Sequence, residues 1–205
     1  MAPLASLTLD LLLFGEAFLL LFAILDPIGT VPIFLALTED YPEKRGRIVR
    51  QSIILATVIL YVFASVGWLI FQILGITLDD FRIAGGIVLF AVAFDHLSGR
   101  DTGEKKQAPE EVAAFPLATP LLAGPGAISS VVILANPPYG LIETFLVITA
   151  NALVAYVVLM RTSWIQRVLG AGGTKALTRI TALLIAALAV SFVREGIVNI
   201  ATSIR

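Results

Sequence analysis

Long apolar blocks are the feature that most restricts what this chain can become. Six of them, residues 9–37, 48–74, 80–98, 114–135, 141–160 and 177–202, approach or exceed the ~20 residues an α-helix needs to cross a bilayer. Composition agrees, with 58% hydrophobic and 14% charged residues against roughly 45–50% and 25% in soluble domains. Backbone polar groups in lipid must be satisfied within the protein, so the blocks predict an all-α polytopic membrane protein of six spans, one integral domain over residues 1–205. No Lys or Arg precedes the first block, which therefore reads as a retained span rather than a cleaved signal.

Two blocks carry interruptions. The first contains Leu25-Asp26-Pro27-Ile28-Gly29-Thr30-Val31-Pro32. Both prolines remove a backbone donor and clash with the preceding turn, so a continuous helix here is broken. As a single helix, residues 9–37 would be about 44 Å long, well beyond a ~30 Å hydrocarbon core. A break relieves that excess. It also places Asp26 at a depth where an ionisable group is costly and functional by default. The fourth block is interrupted by Gly124-Pro125-Gly126.

These interruptions belong to an internal repeat at an offset of about 95–98 residues. Ala23 to Gly29 aligns with Leu121 to Ala127, placing Pro27 over Pro125. Tyr61…Ile73-Leu74-Gly75 aligns with Tyr156…Val168-Leu169-Gly170, and Arg82-Ile83 with Arg179-Ile180, each expected to open a helix. A repeat of three spans is odd-numbered, so its second copy enters the membrane inverted. The repeats are then residues 9–98 and 114–202, joined by a polar linker over 99–113. In transporters built this way, interrupted helices at corresponding positions mark the binding site near the midplane.

The distribution of cations orients the bundle. Loops one, three and five with their flanks hold Lys44, Arg45, Arg47, Arg50, Arg100, Lys105, Lys106, Arg161, Arg167, Lys175 and Arg179; the other side holds Arg82, Arg194 and Arg205. Eleven against three places those loops in the cytoplasm and both termini outside a cell membrane.

Each break is expected to expose the N-terminus of a second half-helix, starting near Pro32 and near Ala127. Unpaired N–H groups and the positive end of the helix dipole make such termini anion sites. The candidate substrate-binding residues are Asp26, Pro27, Gly29, Thr30, Thr119, Gly124, Pro125, Gly126, Ala127, Ser129 and Asn151. Asp26 fits a proton carrier, a cation ligand or an N-cap. Thr30, Thr119, Ser129 and the neighbouring Ser130 can bind polar ligand groups or bond back to helix carbonyls, the commoner behaviour of Ser and Thr. Asn151, at mid-span, needs a partner, whether across helices or on a substrate. Glu16 suits an outer vestibule or a solvated face, Asp95-His96 a cytoplasmic helix end, Arg194-Glu195 a local or interhelical pair, and Gly85-Gly86 a close helix contact.

Other chemistries lack their residues. There is no cysteine and only one histidine, His96, so thiolate chemistry and a histidine-built metal site are excluded and no cofactor is expected. No basic tract suggests nucleic acid.

Asp26 to Thr38, Arg82 to Phe90 (Arg-Ile-Ala-Gly-Gly-Ile-Val-Leu-Phe) and Phe115 to Ile128 (Phe-Pro-Leu-Ala-Thr-Pro-Leu-Leu-Ala-Gly-Pro-Gly-Ala-Ile) resemble the MarC family of six-span membrane proteins, which includes the SnatA amino acid transporters. The likeness runs through essentially the whole chain. It implies transport of small neutral amino acids such as glycine and alanine, coupled to protons, with Asp26 to Thr30 and Thr119 to Ala127 lining the site.

The leading expectation is a secondary transporter, its partners a small neutral amino acid, a proton or sodium ion, and the lipid bilayer. Gly and Ala faces also permit a homo-oligomer. Protonation of Asp26 is the simplest coupling event, provided the carboxyl is buried. The alternatives are a channel or passive facilitator, then a drug or metabolite efflux protein, then an intramembrane hydrolase, which His96 without an evident serine partner disfavours.

Overall fold

The computed structural model describes residues 2–98 and 108–203, with side chains described over 11–91, 93–94, 108–162, 180 and 183–202. Among the described residues the fold is entirely helical, and each apolar block becomes a helix or a broken pair. Helix α1 (Ala2–Leu25) is followed after a short break by α2 (Thr30–Leu37), and a turn of 3-10 helix at Pro42–Lys44 leads into α3 (Arg45–Leu74). Helix α4 (Leu78–Ser98) ends the first half. The second half runs through the short α5 (Pro109–Val112), an irregular wide segment at Ala113–Leu122, α6 (Pro125–Leu134), α7 (Leu141–Met160) and α8 (Thr162–Ser203).

Local chemistry sets most of these limits. Pro32 falls in the first turn of α2, where its missing N–H costs nothing. Gly75 closes α3 at φ +65°, the left-handed C-cap that glycine adopts without strain. Asn136-Pro137-Pro138-Tyr139-Gly140, a sequence that reads as a tight turn, forms one, with Gly140 at φ +89°. Pro116 and Pro120 lie within Ala113–Leu122, where Phe115 and Thr119 are extended. Two prolines four residues apart deny that stretch a regular helical ladder.

Three helical stretches, Pro42–Leu74, Leu141–Met160 and Leu183–Thr202, are each long and apolar enough to cross a membrane. Two bent pairs raise the number to as many as five: α1–α2, bent by 41°, and α5 to α6, bent by 58°. Helix α4 has 21 residues but carries Asp79 and Asp80 in its first turn.

Several sequence-based limits shift. The half-helices start at Thr30 and Pro125 rather than near Pro32 and Ala127. Helix begins again at Pro109, inside the linker expected over 99–113, while residues 99–107 lie outside the described residues. The fifth loop expected between 161 and 176 is absent, because α8 continues as helix through Gly170, Gly172 and Gly173. Arg179 therefore does not open a helix as Arg82 was expected to, and Arg82 itself lies in the second turn of α4. Gly170, paired with Gly75 by the repeat, is helical where Gly75 is a cap.

The main core joins Leu21, Leu25 and Phe34 of the first broken pair to α3, α7 and the segment Ala113–Leu134. A second cluster, Ile33, Leu89, Ala93, Ile185 and Ala189, seats α2 on the α4–α8 pair. Arg45, counted by sequence as a loop cation, is buried; its Nε donates to Thr38 Oγ1 at 3.0 Å and its Nη2 to the Thr38 carbonyl at 3.3 Å. A cation is favoured at that C-terminal end of α2.

Glycine brings α4 against its neighbours, as expected at Gly85-Gly86. A Cβ at Gly86 would come within 2.8 Å of the Ala189 carbonyl and of Val193 Cγ2, and one at Gly196 within 2.9 Å of the Asp79 carbonyl. A Cβ at Gly85 would land on the Pro125 ring. Gly86→Val is thus expected to destabilise the protein by about 1–3 kcal/mol through overpacking. Gly15→Ala, with nothing within 4 Å of the added methyl, is neutral or stabilising by up to about 1 kcal/mol. Thermal unfolding in detergent checks both, and equal loss in the two variants contradicts the packing assigned to α4 and α8.

Candidate functional site

The two breaks lie against each other. A Cβ on Gly126 would meet Ile24 Cγ2 at 3.2 Å, so the last turn of α1 rests on the first turn of α6. Between them, α3 and α7 enclose a cavity of about 20 Å³, lined by Leu25, Ile53, Ala56, Thr57, Leu60, Leu122, Ile148, Ala152 and Ala155. That is room for about one water, so the bundle is closed around its centre. Of these nine residues, the sequence placed Leu122 in the expected lining, within Thr119 to Ala127, and Leu25 at the first break, and it named none of the seven from α3 and α7. Yet the repeat was a usable signal, since Ile53 and Ile148, Thr57 and Ala152, and Leu60 and Ala155 are pairs at the 95-residue offset that also relates Tyr61 to Tyr156.

The first break is organised by Asp26. Its φ is +37°, a left-handed conformation that Asp tolerates better than most residues. Its Oδ1 accepts from the Gly29 N–H at 2.9 Å, and its carbonyl accepts from the Thr30 N–H at 3.0 Å and from Thr30 Oγ1 at 2.9 Å. Asp26 therefore closes the turn that leads into α2, a local form of the capping role left open by sequence, while Gly29 is the residue at the N-cap itself. The side chain is exposed on the flank of the helix pair, beside the exposed Ile28, and does not reach the central cavity. The burial on which the coupling expectation depended is not seen here. Gly29 is required, because a Cβ there would collide with the Asp26 carboxylate. Pro27 and Thr30 are buried beneath it.

The second break has no such cap. Gly124 is the N-cap residue of α6 at φ −79°, ψ 170°, Pro125 occupies the first turn, and no side chain caps the helix. Ala123 N–H returns to the Ala118 carbonyl at 2.7 Å, and Ile128 N–H to the Gly124 carbonyl at 2.9 Å. Gly124, Pro125 and Ala127 are buried, and Gly126 half-buried. A Cβ on Gly124 would strike the Pro120 carbonyl.

The remaining candidates divide. Ser129 donates to the Pro125 carbonyl at 2.7 Å and Ser130 to the Gly126 carbonyl at 2.9 Å, so both bond back within α6. Thr119, half-buried and extended, precedes Pro120 in the irregular segment. Asn151 is fully buried, and its Nδ2 reaches the Val147 carbonyl at 3.0 Å and, across to α1, the Phe18 carbonyl at 3.3 Å. Its Oδ1 is buried with no partner, an unusual state for a buried acceptor. Asp26, Thr119 and Asn151 lie outside the cavity lining. Asp95 and His96 fall outside the described side chains.

At one end of α7 a wider hollow of about 820 Å³ opens between Leu11, Phe14, Tyr139 and Glu143. Desolvation, a hydrogen bond to Glu16 and the charges of Glu16 and Glu143 raise the Tyr139 phenol above its ordinary value of 10.0. Glu16 thus lies beside Tyr139 at the edge of this hollow.

Long apolar helices, two spans bent at proline–glycine breaks and buried polar groups on the inner helix faces define a multi-pass integral membrane protein. The chain belongs to the MarC family of integral membrane proteins, whose family model matches residues 11–201. It is 40% identical over 200 residues to a UPF0056 membrane protein of Methanocaldococcus jannaschii, covering 91% of this chain and 87% of the relative. It is 37% identical over 200 residues to one from Aquifex aeolicus, covering 92% and 94%. It is 33% identical over 204 residues to the UPF0056 membrane protein YhcE of Escherichia coli, covering 93% and 94%. No solved structure matches the chain.

Removing the Asp26 cap should cost about 1 kcal/mol. Asp26→Ala is expected to lower the thermal midpoint, whereas Asp26→Asn, which keeps an acceptor at Oδ1 and tolerates positive φ, holds it. Thermal unfolding of the two variants checks this, and equal midpoints for both contradict the cap.

Proposed function

We propose that the chain is a secondary transporter of small neutral amino acids of the glycine and alanine class, coupled to protons, in a cell membrane with both termini outside. Its six spans are two inverted repeats, with the substrate taken up between the broken first and fourth spans. The observation that carries this reading is the paired lining of the central cavity, in which residues from the two halves meet at the repeat's own offset. Helix neighbours support it: α3 packs on α7 and α4 on α8, and the contacts of α1 with α7 and of α2 with α8 recur as Ala113–Leu122 with α3 and α6 with α4. Each of these six contacts maps onto itself or another of the six when the halves are exchanged. Inverted repeats with discontinuous helices bind substrate at that junction.

The unequal caps assign the two ends of a zwitterion. Asp26 already occupies the anion position at the N-terminus of α2, while α6 has no capping side chain. A substrate carboxylate belongs at α6, on the Gly126 and Ala127 N–H groups. Access requires Ile24 to leave Gly126, so α1 moving from α6 is the opening step. The unpartnered Asn151 Oδ1, on the face of α7 toward α1, is an acceptor for the ammonium as those helices part. The small volume between the two halves, about 20 Å³, favours the smallest substrates.

Asp26 carries the coupling proton in a state that buries it, since its carboxyl is exposed while the bundle is closed. Neutralised there, it accepts the Gly29 N–H more weakly than a carboxylate does, which loosens the α1–α2 junction. Reconstituted protein is expected to accumulate glycine saturably under an inward proton gradient. Asp26→Asn should bind glycine yet lose gradient-driven accumulation, and a mutant that still concentrates glycine removes Asp26 from coupling. Gly126→Val keeps the N–H but covers it with a branched side chain, and should weaken glycine binding at least about tenfold, the scale of one blocked charge-assisted hydrogen bond of about 1.5 kcal/mol or more. Flux that only equilibrates glycine in the wild type identifies a facilitator instead.

A further inference from the structure

The seam between α4 and α8, far from the breaks, carries a second feature. A groove of about 440 Å³ runs along it, floored by Ile87 and Phe90 of α4 and walled by Val190, Val193 and Ile197 of α8. Ile87, Val190 and Ile197 are more than half exposed, as residues facing lipid can be. Arg194 lines the same groove.

A cation in this position needs an explanation. Arg194 lies within the apolar span Leu183–Thr202, where an arginine is costly unless it is paired or snorkels to the interface. The sequence suggests Glu195 as its partner, and the structure corrects that. Adjacent helical residues point about 100° apart, and Glu195 Oε1 instead accepts from Ser191 Oγ at 3.2 Å. Arg194 Nη2 reaches the same hydroxyl only at 3.5 Å. Among the described residues Arg194 makes no salt bridge, the nearby acid Asp79 being held by Arg82 at 3.1 Å and by Asn199 Nδ2 at 3.0 Å.

That last cluster marks the depth. Asp79, Arg82 and Asn199 form a polar group where the start of α4 meets the end of α8. Arg194 lies five residues from Asn199, about 7.5 Å along the helix, within reach of a guanidinium extended toward the same level. In the structure the guanidinium points back along α8 toward Ser191; turned the other way, with its stem still in the apolar groove, it comes level with that polar cluster. An apolar groove closed by one cation without a salt bridge is complementary in shape and charge to an anionic phospholipid: acyl chain along α8, phosphate on Arg194. A planar guanidinium binds phosphate through two parallel N–H donors.

We infer that the α4–α8 seam is a binding site for an anionic phospholipid, with Arg194 holding its phosphate and the Ile87–Phe90 floor its acyl chain. This site is independent of the transport reading, and its test needs no transport assay.

Purified protein is equilibrated with an equal mixture of phosphatidylglycerol and phosphatidylcholine, and retained lipid is counted by native mass spectrometry. Wild type and Arg194→Lys are expected to retain phosphatidylglycerol preferentially. Arg194→Gln should lower that enrichment about fivefold, what one cation near an anionic surface supplies. Val190→Trp, at an exposed lining position, keeps Arg194 but fills the groove, and should lose the same lipid even where Arg194→Gln fails to fold. Glycerol 3-phosphate, the headgroup without chains, should not be retained. Enrichment unchanged in both Arg194→Gln and Val190→Trp overturns the site, as does glycerol 3-phosphate binding as well as the whole lipid. A wild-type dimer that Arg194→Gln dissociates without changing lipid retention shows that a second copy covers the seam, and overturns it as well.

Discussion

The constraint on which this fold depends is that a helix interrupted inside an apolar layer must still satisfy its backbone. Each broken span leaves N–H groups at the start of its second half with no partner in the first. The chain meets this demand in two different ways. At α2 it supplies its own acceptor, with Asp26 turned left-handed so that its carboxylate meets Gly29. At α6 it supplies no capping side chain and covers the terminus with Pro125, Gly126 and the packed turn of α1. One terminus is filled and the other is only enclosed.

The enclosure is made by glycine and proline rather than by large side chains. Gly85 admits the Pro125 ring, Gly126 admits Ile24, and Gly86 admits the backbone of α8. These contacts bring α4, α6 and α8 into one packed unit, while α1 and α7 meet through the Asn151 bond to Phe18 at 3.3 Å. A seam held by one long hydrogen bond and aliphatic contact separates more readily than one interlocked at the backbone.

Much of the architecture was legible in the sequence. Prolines and glycines at Asp26–Pro32 and Gly124–Gly126 located both breaks, because those residues cannot continue a helical ladder. Gly75 and the Asn136–Gly140 turn were equally readable from backbone preference. The failures share a cause. Gly170, Gly172 and Gly173 punctuate the sequence like a loop, yet α8 passes through them as helix. Arg45 counted as a loop cation, yet it folds back onto the carbonyl end of α2. In both cases tertiary context overrode a local preference of about a kilocalorie per mole.

By itself the sequence determined that this chain is an all-helical membrane protein with two interrupted spans, because apolar length and proline placement act locally. Tertiary structure alone decided what the interruptions face. It turned Asp26 outward as the cap of α2, left the start of α6 beneath Ile24, and drew Leu25 and Leu122 from the two halves onto one small cavity. Those outcomes depend on how helices approach one another, and that approach is set by missing side chains at Gly85, Gly86 and Gly126 as much as by those present.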